Sequence, residues 1–180
     1  MNLRTAGRWR ALLCAILLPA TLLVACATRP ADIASMPWTS GRLSLQIAAS
    51  AAEGARSVTA SFDLRGDADR GELRLSSPLG SLVAAAQWSP GRAVLETPQG
   101  QQQFSDLEAL SREALGEPLP LQALPDWLSG KPWAGAISQP REGGFEQLGW
   151  RVAINRFTDG FIDAERDAAP AVKLRVRLDR

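Results

Sequence analysis

Leu43, Leu45 and Ile47 alternate with Arg42, Ser44 and Gln46, and this period of two recurs along most of the chain. Successive side chains of a β-strand point to opposite faces, so sustained alternation demands a sheet with one apolar and one wetted face. Val58, Ala60, Phe62 and Leu64 alternate with Thr59, Ser61 and Asp63. Leu73 and Leu75 sit among Glu72, Arg74 and Ser76, and Leu82, Ala84, Ala86 and Trp88 follow. Turn residues at Ser89-Pro90-Gly91 and Pro98-Gln99-Gly100 bound short strands over Ala93–Thr97 and Gln101–Phe104. Trp150, Val152 and Ile154 resume the pattern, and Val172, Leu174, Val176 and Leu178 end it. Short strands broken by Gly, Pro, Asp and Ser predict an antiparallel sheet with hairpin connections.

The middle of the chain has a different period. Ser105-Asp106-Leu107-Glu108 fits a capping box with Ser105 as N-cap, and Leu107, Leu110, Ala114 and Leu115 share one helical face up to Gly116. Leu121, Leu124, Trp127 and Leu128 recur at helical spacing up to Gly130. Pro125 divides this stretch, predicting two short pieces with the second starting at Pro125-Asp126. The expected fold is therefore mainly β with some α: a curved antiparallel sheet with short helices on its apolar face.

The N-terminus restricts where such a domain works. Arg4, Arg8 and Arg10 precede an apolar run from Ala11 to Leu23, and Leu23-Val24-Ala25-Cys26 follows. A basic start, a short apolar core and small residues at the cut mark a secretory signal, and the run is too short to span a bilayer. The last four residues fit a lipobox, at which bacteria acylate the cysteine thiol and cut before it. Residues 1–25 are then a signal peptide, 26–37 a lipidated N-terminus and flexible tether, and 38–180 a single domain. Cys26 is the expected lipidation site, and Ala27 after it fits the outer membrane as the address.

Composition excludes much chemistry. The chain has no histidine and two cysteines, of which Cys14 leaves with the signal and Cys26 is acylated, so imidazole-based triads and thiolate or imidazole metal sites have no residues to build them. No metal and no cofactor are expected. Removing three arginines and no acidic residue leaves the mature chain at a formal charge of −2, which offers nothing to nucleic acid. Asp63 with Asp67, and Asp163 with Glu165, are the candidates for paired-carboxylate chemistry; the plain alternative is solvated charge near strand ends. Arg42, Arg74, Arg151, Arg175 and Arg177 alternate with core residues and read as a solvated sheet face. These absences point away from an enzyme and towards a binding protein.

Ser76-Ser77-Pro78-Leu79-Gly80, Leu115-Gly116-Glu117-Pro118-Leu119-Pro120-Leu121 and Leu124-Pro125-Asp126-Trp127-Leu128-Ser129-Gly130 occur in an order that resembles the LolB-like receptors of the LolA/LolB lipoprotein-localisation family. Gly41-Arg42-Leu43 and Gly149-Trp150-Arg151-Val152 fit the same pattern, and the resemblance runs from about Trp38 to about Leu178. It implies an unclosed antiparallel β-barrel with a helical lid over a hydrophobic cavity. It also implies a monomer, lipid-anchored to the inner leaflet of the outer membrane and facing the periplasm. Such a receptor accepts acylated lipoprotein cargo from the soluble carrier LolA and inserts it into the membrane without catalysis. A subset of the outer arginines at the barrel mouth would meet an acidic rim on LolA.

Leu43, Leu45, Ile47, Phe62, Leu64, Leu75, Trp88, Trp150, Val152 and Ile154 are expected to line the acyl-chain cavity, with Leu124, Trp127 and Leu128 from the lid. The alternation alone leaves a plain packed core equally open, and with it a structural outer-membrane lipoprotein that scaffolds other proteins; the cavity comes from the resemblance. Pro78, Leu79 and Gly80 form the expected membrane-insertion loop. Their turn chemistry leaves Leu79 either folded back or pointing outward, and the resemblance implies outward, towards the bilayer. The helical segment that usually precedes the first strand in this family is shortened here to the tether, so the covering of one barrel mouth is expected to differ.

Overall fold

The structure, a computed structural model, describes residues 33–51 and 54–179. The signal segment, Cys26 and the first part of the tether lie outside the described residues.

Eleven strands form one sheet among the described residues. The first block comprises β1 (Thr39–Ile47), β2 (Arg56–Gly66), β3 (Gly71–Ser76), β4 (Leu82–Ser89), β5 (Arg92–Thr97) and β6 (Gly100–Phe104). Helices α1 (Leu107–Leu115) and α2 (Leu124–Trp127), separated by a 3-10 turn at Leu121–Ala123, form the insert. The second block comprises β7 (Ser138–Arg141), β8 (Gly144–Gln147), β9 (Trp150–Ala153), β10 (Phe161–Arg166) and β11 (Val172–Leu178). The spatial order is β6-β5-β4-β3-β2-β1-β11-β10-β9-β8-β7, antiparallel throughout. β1 pairs with β11, which joins the two blocks, while β6 and β7 remain as the two edges, so the curved sheet is an unclosed barrel.

Antiparallel pairing assigns every connection to one of two rims. The β3–β4, β5–β6, β8–β9 and β10–β11 connections share one rim; β2–β3, β4–β5, β7–β8 and β9–β10 share the other. The register keeps parity across the sheet: Leu43 lies between Ala60 and Val176, and Phe62 between Gly41 and Leu75. One face is therefore mostly apolar, and the insert packs on it through Leu107, Leu110, Leu119, Leu121, Trp127 and Leu128. Gly71 marks a close approach, since a Cβ there would stand 2.1 Å from the Trp88 ring. The indole lies over the glycine and donates to the Asp67 carbonyl at 3.0 Å, closing the β2–β3 end of the sheet.

Several sequence expectations need correction in detail. Asp106, not Ser105, is the N-cap of α1: its carboxylate accepts from the Ala109 amide at 2.7 Å, and Ser105 Oγ donates to the same carboxylate at 2.9 Å. The Ala109 bond, followed by that from Ser105, holds the Asp106 carboxyl below its ordinary value. An aspartate next in the chain outcompetes the serine because its charge also complements the helix N-terminus. The helix ends as expected, with Gly116 left-handed at φ 72. The second helical piece starts at Leu124 rather than Pro125, which leaves the proline in the first turn, where its missing N–H costs nothing. Strands β7, β8 and β10 lie in segments the alternation does not mark, and Ile154 lies just beyond β9, its amide bonded to the Gly143 carbonyl at 2.8 Å.

Candidate functional site

The thirteen apolar residues singled out from the sequence meet on the covered face of the sheet. Leu45, Ile47, Phe62, Leu64, Trp88, Trp127, Leu128, Trp150 and Val152 are buried in one cluster, and Leu43, Leu75, Leu124 and Ile154 are half-buried against it. Trp127, at 2% exposure, is at the centre of an aromatic group, 6.3 Å from Phe145 edge-on and 6.2 Å from Trp150. These separations are those of attractive ring pairs.

The sequence reading missed what holds the insert in place. Gln147 follows the apolar parity of Phe145 and points inward, where it is buried. Its Oε1 accepts from Trp127 Nε1 and from the Trp133 amide, both at 2.9 Å. Its Nε2 donates to the carbonyls of Trp133 at 2.7 Å and Ala136 at 2.9 Å. One side chain thus ties α2 and the segment leading to β7 onto the sheet, with every polar atom matched, which is what a buried amide requires.

The other end of the insert is held differently. Arg166 also falls on the apolar parity, after Ile162 and Ala164, and its guanidinium pairs with Glu117 at 2.7 Å. It donates further to the carbonyls of Pro118 at 3.5 Å and Pro170 at 3.3 Å, and stands 5.6 Å from the Trp150 ring. Its Nε is buried without a hydrogen-bond partner among the described residues. Ser111 Oγ, buried, accepts from the Leu119 amide at 3.0 Å and fixes the same link. A fully matched neutral anchor thus holds one end of the insert, and an ion pair with an unmatched N–H holds the other.

The Glu117 end faces the rim of the β3–β4 connection. Val58, Leu75 and Leu115 near that rim are half-buried. The connection itself is a tight turn. The Gly80 amide donates to the Ser77 carbonyl and the Ser77 amide to the Ser81 carbonyl, both at 2.8 Å, and Gly80 has φ +84. Ser77 Oγ also accepts from the amides of Leu79 and Ser81 at 3.3 Å. With its amide held by Ser77 Oγ and proline fixing the preceding position, Leu79 projects outward at 95% exposure.

The opposite, polar face of the sheet bears a concavity of about 1280 Å³ lined by Arg42, Arg151, Arg175 and Arg177 among others. The candidate carboxylates are engaged individually. Asp163 pairs with Arg156 at 3.3 Å and Arg175 at 3.5 Å, and Glu165 with Lys173 at 3.4 Å. Asp63 accepts from Ser40, and Asp67 caps the β2–β3 turn through the amides of Asp69 and Arg70. These are the solvated, structural carboxylates of the plainer reading.

An apolar sheet face, a helical cover and an exposed leucine on one rim suit the handling of long apolar groups. The family model described as "Outer membrane lipoprotein LolB" matches residues 39–178. Proteins named "Outer-membrane lipoprotein LolB" are similar over most of their length. That of Bordetella petrii is 34% identical over 149 residues, covering 77% of this chain and 74% of the relative. That of Chromobacterium violaceum is 35% identical over 150 residues, 78% and 80%. That of Halorhodospira halophila is 34% identical over 171 residues, 85% and 84%. The chain belongs to the LolB family of outer-membrane lipoproteins.

Proposed function

We propose that this chain takes acylated lipoproteins from the periplasmic carrier LolA into its apolar interior and releases them into the inner leaflet of the outer membrane. In this reading residues 1–25 are removed, Cys26 carries the lipid anchor, and 26–37 tether the domain of residues 38–180. The observation that carries it is the apolar sheet face under the helical insert, on a domain whose rim displays the exposed Leu79.

Physical chemistry explains why such a device is needed. Each buried methylene contributes about 0.8 kcal/mol, so a lipoprotein with two or three acyl chains holds to apolar surroundings by tens of kcal/mol. Escape through water is then too slow, and cargo must pass between apolar surfaces in contact. No covalent bond changes, so a descending order of acyl free energies from carrier to receptor to bilayer is sufficient. The interior residues, from Leu43 and Phe62 on the sheet to Leu124, Trp127 and Leu128 on the insert, would exchange contacts with one another for contacts with acyl chains. The Arg166–Glu117 link would then be the end of the insert that gives way. Leu79 within Pro78-Leu79-Gly80 would enter the leaflet. A buried leucine contributes about 1.5–3 kcal/mol, enough to hold the mouth against lipid briefly but not to anchor the protein.

The test is to incubate a LolA–lipoprotein complex with the mature chain lacking its anchor and ask whether cargo co-purifies with it. Transfer is expected, together with uptake of an apolar fluorescent probe. An interior that takes up neither is that of a scaffold and overturns the reading. Mass spectrometry of the mature N-terminal peptide should find Cys26 acylated; an unmodified thiol, or cleavage elsewhere, removes the anchor from the account.

A further inference from the structure

We infer that the rim bearing Leu79 touches the membrane at a second point, formed by Leu148 and Ile137, so that lipid engages both blocks of the sheet. The inference rests on the membrane role proposed for Leu79 and extends it to residues at the other end of the sheet.

The distribution of exposed apolar side chains carries it. Among the described residues, Leu79, Leu82, Val83, Ile137 and Leu148 are the large aliphatic side chains left exposed. Antiparallel pairing puts all five on one rim: Leu79 and the first residues of β4 beside the β3–β4 turn, Leu148 in the β8–β9 turn, and Ile137 just before β7. Trp38, the remaining exposed large apolar residue, lies towards the opposite rim and is not free. The guanidinium carbons of Arg65 and Arg74 stand 4.4 and 4.9 Å from its ring centroid. An exposed apolar group confined to one edge of a soluble domain asks for an apolar partner.

Leu148 adds an independent argument from its backbone. Gln147 pairs with Trp150, so Leu148-Gly149 is a two-residue hairpin loop, with φ 54 at Leu148 and 77 at Gly149. Positive φ at both central positions is the type I′ geometry, which Asn-Gly satisfies with least strain. Leu148 is the only non-glycine residue with positive φ among the described residues, and it is 42% exposed. It thus bears both a conformational cost and a solvation cost at a turn whose geometry Asn-Gly would suit better. Such an outlier points to function. Ile137, at 90% exposure, lines the same concavity of about 480 Å³ as Leu148. The neighbour pair Ser138–Gln147 brings the two apolar residues together at one corner.

A lipid leaflet is the partner that fits, because an extended apolar layer meets two separated points of one rim at once. Leu79, between β3 and β4, and the Leu148–Ile137 corner, at β7 to β9, belong to opposite blocks of the sheet and stand on the same rim. Two separated contacts on one rim orient that rim towards the bilayer, which one leucine on a loop does not.

The test uses the full acylated receptor in vesicles of phosphatidylethanolamine and phosphatidylglycerol. Acylation of Cys26 leaves no free thiol, so Ile137→Cys, Leu79→Cys and, on the opposite rim, Glu142→Cys each accept one fluorescent label. Brominated lipids should quench the labels at 137 and 79 and leave that at 142 unchanged. The double variant I137N/L148N should fold and melt no lower than wild type, since asparagine suits the turn better than leucine. It should accept cargo from LolA normally and insert it about tenfold more slowly, the loss expected from weakening one leucine-sized lipid contact. A quenched label at 79 with an unquenched one at 137 overturns this inference and leaves the Leu79 reading standing. Quenching at neither overturns both. A double variant that accepts cargo poorly assigns the corner to the carrier and also overturns it.

Discussion

The helical insert and the β3–β4 turn each present a large apolar side chain, and the fold treats the two in opposite ways. Trp127 is enclosed at 2% exposure by Phe145 and Trp150, with its indole N–H matched to Gln147. Leu79 stands at 95% exposure on a turn whose backbone hydrogen bonds are complete without it. The first residue is held by the structure and the second is displayed by it. Stability and delivery should therefore respond to different substitutions, and the following tests run from the largest expected loss of stability to none.

Trp127→Ala should be the most damaging. Truncating a buried tryptophan costs about 3–5 kcal/mol, and Gln147 also loses a donor. Chemical denaturation should show this loss, with the insert reporting it first through faster amide exchange at Leu128 and Ser129. A loss below about 1 kcal/mol would show that the insert is not part of the cooperative unit.

Glu117→Ala should come second, at about 2 kcal/mol. It leaves the Arg166 guanidinium half-enclosed beside Trp150 without its carboxylate, but both side chains retain some solvent, which lowers the cost below that of a fully buried pair. Amide exchange should quicken at Leu119 and Leu121 and stay unchanged at Trp133, which Gln147 holds. Equal loosening at both ends would erase the distinction between the two anchors.

Glu72 gives a smaller, pH-dependent effect. Burial alone would raise its carboxyl pKa, but hydrogen bonds and charge from Arg65 and Arg74, at 2.7 and 2.6 Å, outweigh it and hold the value below the ordinary 4.5. A depressed carboxyl pKa contributes stability that is present above the ordinary value and lost as pH falls through the folded one. Wild type should thus lose stability relative to Glu72→Gln as pH falls below about 4.5, since this contribution is absent from the variant at every pH. Parallel profiles for the two proteins would remove Glu72 from the account. The same two arginines cover Trp38, so its fluorescence should shift over that range.

The parts of the molecule that the sequence made legible are those where parity and chemistry agree. β1, β2 and β11 alternate cleanly, and the thirteen interior positions meet because the ten from the sheet are apolar residues on one parity and Leu124, Trp127 and Leu128 recur at helical spacing on the insert. The strands that stayed hidden put polar residues inward: β8 carries Gln147 and β10 carries Arg166 on the apolar parity, and β7 is Ser-Gln-Pro-Arg with no pattern. A buried amide or guanidinium is acceptable only when partners distant in sequence match it. Those partners, Trp127 and Trp133 for one and Glu117 for the other, are set by the fold. The Leu148 turn was hidden for a related reason: Leu-Gly is a poor composition for its geometry. The outward direction of Leu79 was open on turn chemistry alone.

The sharpest test follows the substitution expected to leave stability untouched. Leu79→Glu should melt within about 0.5 kcal/mol of wild type, as exposed substitutions away from packed features do. Cargo transfer should then be followed in two stages with the same protein: co-purification of lipoprotein after mixing with its LolA complex, and flotation of that lipoprotein with vesicles of outer-membrane lipids. The account predicts normal acceptance and blocked insertion, so that cargo accumulates on the receptor. Normal insertion by Leu79→Glu would contradict it.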